Sequence, residues 1–166
     1  MRHSQFLTAS AVLLAALSGT AGAATATTSF AVNASVANNC LVSATTLTFA
    51  AYDGTAAVDG TSTVSVRCTK NTAYNVKLDD GNGNSLAPRK LAQGADELEY
   101  NLYRDAGRSQ VWGETIGTDT VADTGNGMAL ISANPHTVYG RVLNSAANQD
   151  APVGSYTDTI NVTVEY

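Results

Sequence analysis

Polar and apolar residues alternate with a period of two along most of this chain. In "TTSFAVNASVANNC" (27–40), Phe30, Val32, Ala34 and Val36 share one parity, and Ser29, Ala31, Asn33 and Ser35 share the other. That is the signature of a half-buried β-strand. "SATTLTFAAY" (43–52) repeats it. So does "STVSVRCTK" (62–70), with Val64, Val66 and Cys68 on one face, and "AYNVKLDD", with Tyr74, Val76 and Leu78. "DGNGNS" (80–85) is a turn cluster. "ELEYNLYRD" leads through Asp105-Ala106-Gly107 into "SQVWGE", a hairpin with glycine in its connection. "NGMALISAN" and "HTVYGRVL" read as two further strands. In the last stretch, "GSYTDTINVTVEY", Tyr156, Ile160, Val162, Val164 and Tyr166 alternate with Thr157, Thr159, Asn161, Thr163 and Glu165. No long stretch keeps a 3.6-residue apolar period. Short strands joined by Gly/Asn turns predict an all-β protein, a two-layer antiparallel sandwich of immunoglobulin-like type. Such a sandwich has about seven strands, the last closing an edge. A chain that finishes on a long hydrophobic strand is expected to leave that edge open, as a template for pairing. The alternation of 27–40 leaves open whether that strand belongs to its own sheet or to another chain's.

The first 23 residues change the picture. Arg2 precedes the apolar run 11–17, and Ala21-Gly22-Ala23 offers small residues for cleavage, the layout of a secretory signal. The run is too short to span a bilayer, which takes ~20 apolar residues. The expected division is a signal peptide (1–23), an N-terminal extension (24–38) and one domain (39–166), with export as the destination. Loss of Arg2 leaves eight of the nine basic residues against fourteen scattered acidic ones. Nothing there recruits phosphate backbones, so nucleic acid is not an expected partner.

Two cysteines occur, Cys40 and Cys68. In an oxidising compartment a disulfide is the default pairing; a metal pair or a catalytic thiol is the alternative. Neither alternative finds supporting ligands, because His136 is the one histidine beyond the leader. No Gly-x-Ser-x-Gly elbow is present. Asp80, Asn82 and Asn84 begin like a calcium loop, but Ser85 stands where glycine is needed and Leu91 where the bidentate glutamate belongs. Glu97 and Glu99 read as solvated charges rather than a glycosidase pair. Catalytic residues, cofactor-binding residues and metal ligands are therefore all expected to be none. A secreted module binding carbohydrate or protein through Trp112, Tyr100 and Tyr103 is the competing class, although a hairpin core is the more natural place for these rings.

The stretch "YGRVLNSAANQDAPVGSYTDTINVTVEY" (139–166) resembles the ending of spore coat protein U domain proteins, and "YNLYRDAGRSQVWGE" (100–114) resembles an internal part of them. Cys40 and the cysteine of "VSVRC" match the family's disulfide. The Gly154-x-Tyr156-x-Asp158 ending is the most specific element, whereas 113–128 matches little. The family includes subunits of archaic, Csu-type chaperone–usher pili. The resemblance implies an incomplete sandwich lacking its last strand. A periplasmic chaperone lends one temporarily, and at the outer-membrane usher the N-terminal extension of the next copy or sibling subunit replaces it. Phe30, Val32, Ala34 and Val36 would be the donated set, with slim Gly/Ser/Ala-sized neighbours on the other face. Tyr156, Ile160, Val162, Val164 and Tyr166 would form the accepting edge. The implied role is a pilus subunit at the cell surface, supporting attachment and biofilm formation. A spore or cell coat component is the nearby variant.

Overall fold

The computed structural model describes residues 22–166. The expected leader lies outside them except for its last two positions. Residues 22–35, taken by themselves, contain no helix or strand, and every one of them is exposed. Val36–Tyr166 is a separate folded unit.

That unit is built from eight strands: β1 (Cys40–Ala44), β2 (Val58–Cys68), β3 (Ala73–Leu78), β4 (Arg89–Gln93), β5 (Asp96–Tyr103), β6 (Val121–Thr124), β7 (Asn134–Val142) and β8 (Val162–Glu165). A single helical turn, α1 (Ala146–Gln149), follows β7. All pairings are antiparallel. One sheet runs β1-β2-β7-β5-β4 and the other β6-β3-β8. The period-two residues of β2, β3, β5 and β7 point between the layers as expected. Val64, Val66, Tyr74, Val76, Leu78, Leu98, Tyr100, Leu102, Val138 and Val142 make one buried core. Trp112 stitches the two sheets. Its backbone N–H donates to Leu102 in one (2.9 Å), and its indole N–H donates to Val76 in the other (2.9 Å). Cys40 faces Cys68 across β1 and β2, with Cα atoms 4.1 Å apart, and the two form the disulfide.

Several strand expectations are corrected. In 43–52 the ladder stops at Ala44, and 45–57 belong to no strand. "SQVWGE" does fold back on the end of β5 around a turn at Asp105, but it pairs over a single bridge, Tyr103 to Val111, rather than a full strand; Arg104 N donates to Gln110 O (3.0 Å) and Trp112 N to Leu102 O (2.9 Å). "NGMALISAN" folds around a 3-10 turn, Leu130–Ser132, because nothing pairs with it. Of the final stretch, Val162–Glu165 alone is strand. The run 27–39 is in no strand at all. Conversely β4 and β6 lack any clear alternation and form through their partners, β5 and β3.

Residues 45–57 still hold the sheet. Gly60 of β2 and Gly140 of β7 are paired in register, which leaves a hollow in the inner face of the larger sheet. Leu47 and Phe49 sit in it. A Cβ on Gly140 would lie 2.7 Å from Leu47 Cδ1 and 2.8 Å from Phe49 Cζ. Gly140→Ala should therefore lower stability by ~1–3 kcal/mol through overpacking, measured by denaturant unfolding. A neutral result would mean that Leu47 and Phe49 swing aside freely.

Candidate functional site

Between the sheets lies a cavity of about 950 Å³. Interiors pack like organic crystals, and a void of this size is out of scale with an ordinary core. Its shape explains it. One wall is 44–54, carrying Leu47, Phe49 and Tyr52. The facing wall is 151–162, carrying Tyr156, Ile160 and Val162. The floor is core, with Val64, Leu78, Tyr100 and Val142 among it. Floor side chains are almost fully buried, whereas those of both walls are half-buried. Over most of their length neither wall has a strand beside it: after a bond from Thr45 N to Thr63 O (3.0 Å), 46–57 are unpaired, and 151–161 make one bridge, Thr157 to Ala92 of β4, and accept one bond from Asp79 N at Asn161 O (3.2 Å). β8 continues the second wall at the edge of its sheet. The site is thus a groove with an apolar lining between two backbones whose hydrogen-bonding groups lack a ladder.

The second wall is held by carboxylates. Asp79 Oδ1 accepts from Asn161 N (2.9 Å), and Asp79 Oδ2 accepts from its side-chain amide (2.6 Å). Asp158 Oδ1 accepts from Asn82 N (2.9 Å), and Asp158 Oδ2 accepts from the Tyr100 hydroxyl (2.6 Å). Burial, reinforced by that bond, pushes the Tyr100 phenol well above its ordinary pKa. The Tyr156 hydroxyl donates back to Pro152 O (2.7 Å), the arrangement of a tyrosine corner. The Gly-x-Tyr-x-Asp ending is therefore a device that fixes the wall's course. Beneath it Arg89, fully buried, donates to Asp79 O (2.9 Å) and Trp112 O (2.7 Å), with longer bonds to Leu78 O and Leu86 O. Asn148 of α1 clamps Glu99 and Leu143 in the same way. Sequence reasoning missed both Arg89 and Asn148, since an isolated polar residue in a sequence gives no sign of being buried.

Of the five residues expected on the accepting edge, Tyr156, Ile160 and Val162 line the groove. Val164 packs on the core beyond the groove's end, and Tyr166 is 55% exposed and does not line it. The residues expected to be donated, Phe30, Val32, Ala34 and Val36, are exposed, Phe30 by 86%. The rings considered for a ligand site are core instead: Trp112 has no exposed surface, and Tyr100 and Tyr103 are buried. The "DGNGNS" cluster is a 3-10 turn, Gly81–Gly83, and among the described residues no cluster of three potential metal ligands occurs. Glu97 pairs with Lys90 at the surface.

His136 lies on β7 opposite Val64. Its Nε2 is 3.0 Å from the Tyr74 hydroxyl and 3.7 Å from Asp123 Oδ2. Burial lowers the imidazole pKa, with Asp123 opposing, and burial pushes Tyr74 up to about 12. The folded state thus holds fewer protons here than the unfolded chain just below pH 6.5. The contribution of neutral His136 is whole above that pH and is lost as the pH falls. Thermal midpoints should fall between pH 7 and pH 5, and His136→Gln should flatten that part of the curve. A slope unchanged in the variant would assign it elsewhere.

An all-β two-layer sandwich with an open apolar slot beside its last strand is a recognisable class of domain. The model of the Spore Coat Protein U domain matches residues 26–163. Protein U of Myxococcus xanthus is 32% identical over 165 residues, covering 88% of each chain. The chain belongs to the spore coat protein U domain family. Its fold is also that of a chain in the crystal structure of the CsuC–CsuE chaperone–tip adhesion subunit pre-assembly complex, from archaic chaperone–usher Csu pili of Acinetobacter baumannii. That match has TM-score 0.57 and 20% identity over 79% of this chain; the present chain spans 40% of the length of that one.

Proposed function

We propose that this protein is a non-enzymatic structural subunit of a secreted pilus, polymerising by donor-strand exchange. The N-terminal segment of one copy, or of a sibling subunit, lies in the groove of the next. Before assembly a periplasmic chaperone occupies the same slot, and an outer-membrane usher directs the exchange to the cell surface. The observation that carries the reading is the pairing of two features. One is an apolar groove between two unladdered backbones. The other is an exposed segment whose apolar residues fall on one parity. An added strand would supply main-chain hydrogen bonds to both walls and alternate side chains to the slot. Contacts of this kind are heterologous and propagate as an open filament. Attachment and biofilm formation are the roles such a filament would serve. A coat component is the second reading, favoured by the match to the Spore Coat Protein U domain; it would use the same strand exchange in a deposited layer.

The test is Phe30→Asp in the chain starting at Ala24. The variant should stay monomeric where the parent forms oligomers, with the same unfolding midpoint for its globule and undiminished chaperone binding. Equal loss of folding and of chaperone binding would place Phe30 in the domain's own core and overturn the reading.

A further inference from the structure

The groove ends where β1 and β8 come together, and it is open at the other end. Its lining reaches Ala44 and Val162 but includes nothing from 40–43 or 163–166. At the other end lie Asp53, Gly54 and Val153, the last 98% exposed. The closed end points toward the disulfide pole of the sandwich. There Cys40 pairs with Cys68, Val66 with Asn134, and Gly127 N donates to Cys68 O (2.9 Å).

The chain enters the globule at that same disulfide pole, on a short and fastened tether. Three residues separate Val36 from Cys40. Thr69 Oγ1 donates to Ala37 O (3.1 Å), Thr69 N to Asn39 O (2.9 Å), and Thr72 Oγ1 to Asn38 Oδ1 (3.2 Å). Even fully extended, the four steps from Val36 to Cys40 span at most roughly 14 Å. Were Val36 seated in a neighbour's groove, the donor's disulfide pole would have to stand against that neighbour. It fits only at the open end, because the groove stops short of the closed one.

Each of these two surfaces carries conspicuous aliphatic side chains. At the disulfide pole the 3-10 turn Leu130–Ser132 holds Leu130 79% and Ile131 96% exposed. Its loop is anchored by Arg67 Nη1 donating to Met128 O (3.3 Å) and by Asn134 Nδ2 donating to Thr124 O (2.9 Å). Side chains so exposed contribute no packing within their own subunit. We propose that the loop bearing Leu130 and Ile131 docks at Val153 on the groove mouth of the next copy, a second contact between consecutive copies of this chain. The inference rests on the donor-strand reading and adds an interface to it.

The test is the double variant Ile131→Cys, Val153→Cys in the chain starting at Ala24, treated with a short bis-maleimide and run on denaturing gels. The native thiols are both in the Cys40–Cys68 bond. About tenfold more covalent dimer and higher ladder than either single-cysteine variant is expected, because donation raises the local concentration of the partner surface. Adding Phe30→Asp should return the yield to the single-cysteine level. Oligomers that form without extra cross-linking would overturn the docking contact and leave strand donation standing. A parent chain that forms no oligomers would overturn both. A ladder that survives Phe30→Asp would show contact without donation, and the inference would fall.

Discussion

Moving residues 25–36 to follow Tyr166 on a short turn-forming linker should give a monomer that unfolds more than about 10 °C above the parent's globule. The groove ends at Val162, the first residue of β8, so a strand turning back after Tyr166 runs antiparallel along the exposed edge of β8 and continues into it. Phe30, Val32 and Val36 are exposed and would each gain roughly 1.5–3 kcal/mol on burial. The new main-chain bonds add a net ~1 kcal/mol apiece. Ordering the segment offsets part of this, but the tether removes the cost of bringing two molecules together. Size-exclusion chromatography and calorimetry check both halves of the expectation. If parent and rearranged chain are equally stable monomers, residues 25–36 have no affinity for the slot. A rearranged chain carrying Phe30→Asp should lose most of the gain, which separates seating in the groove from a mere change of connectivity.

Arg89→Met should destabilise the globule by ~3–5 kcal/mol, since it strips the donor from several buried carbonyls at ~1–3 kcal/mol each. The guanidinium is fully buried and satisfies carbonyls of Asp79 and Trp112, with Leu78 and Leu86 at longer range. No carboxylate touches it, but Asp79, Asp158 and Asp80 lie close enough to favour its charge, against a burial that lowers its pKa. Methionine fills much of the volume and leaves those carbonyls without donors, a desolvation cost with no return. Arg89→Lys should recover little, because one ammonium cannot spread over carbonyls that a planar fork reaches together. Chemical denaturation gives the magnitude. The near-ultraviolet signal of Trp112, whose carbonyl is the shortest of the four contacts, reports the local loosening. A cost below ~1 kcal/mol would mean that water replaces the guanidinium without strain.

The core was largely legible in the sequence, and the ladder was not. Alternation in β2 and β3 identified the inward faces correctly, since Val64, Val66, Tyr74, Val76 and Leu78 are all buried. Alternation at 45–52 was equally sound about side chains, because Leu47 and Phe49 do turn inward, yet no strand forms there. Period two records which side chains share a face; a strand also needs a neighbouring backbone, and that neighbour is written elsewhere in the chain or in another chain. The same distinction separates 27–39, alternating but unpaired, from β4, where inward Arg89 and the polar Lys90 and Gln93 hide a strand that pairing with β5 creates. The apolar run at Leu130 and Ile131 misled for a related reason: lacking a backbone to pair with, it became an exposed turn. Half of the groove was visible in the final alternation. The other half, the wall carrying Leu47 and Phe49, looked like ordinary strand until its surroundings were known.

In a fibre of the proposed kind, the position of the disulfide decides where a pull is borne. Tension arriving through Asn39 meets Cys40, the first residue of a five-residue edge strand that on its own would unzip one bond at a time. Cys68 stands directly across, at the end of the eleven-residue β2, which is flanked by a neighbour on each side. The sulfur bridge hands the load to that longer strand before any of β1 has to yield, so this short edge is spared from peeling.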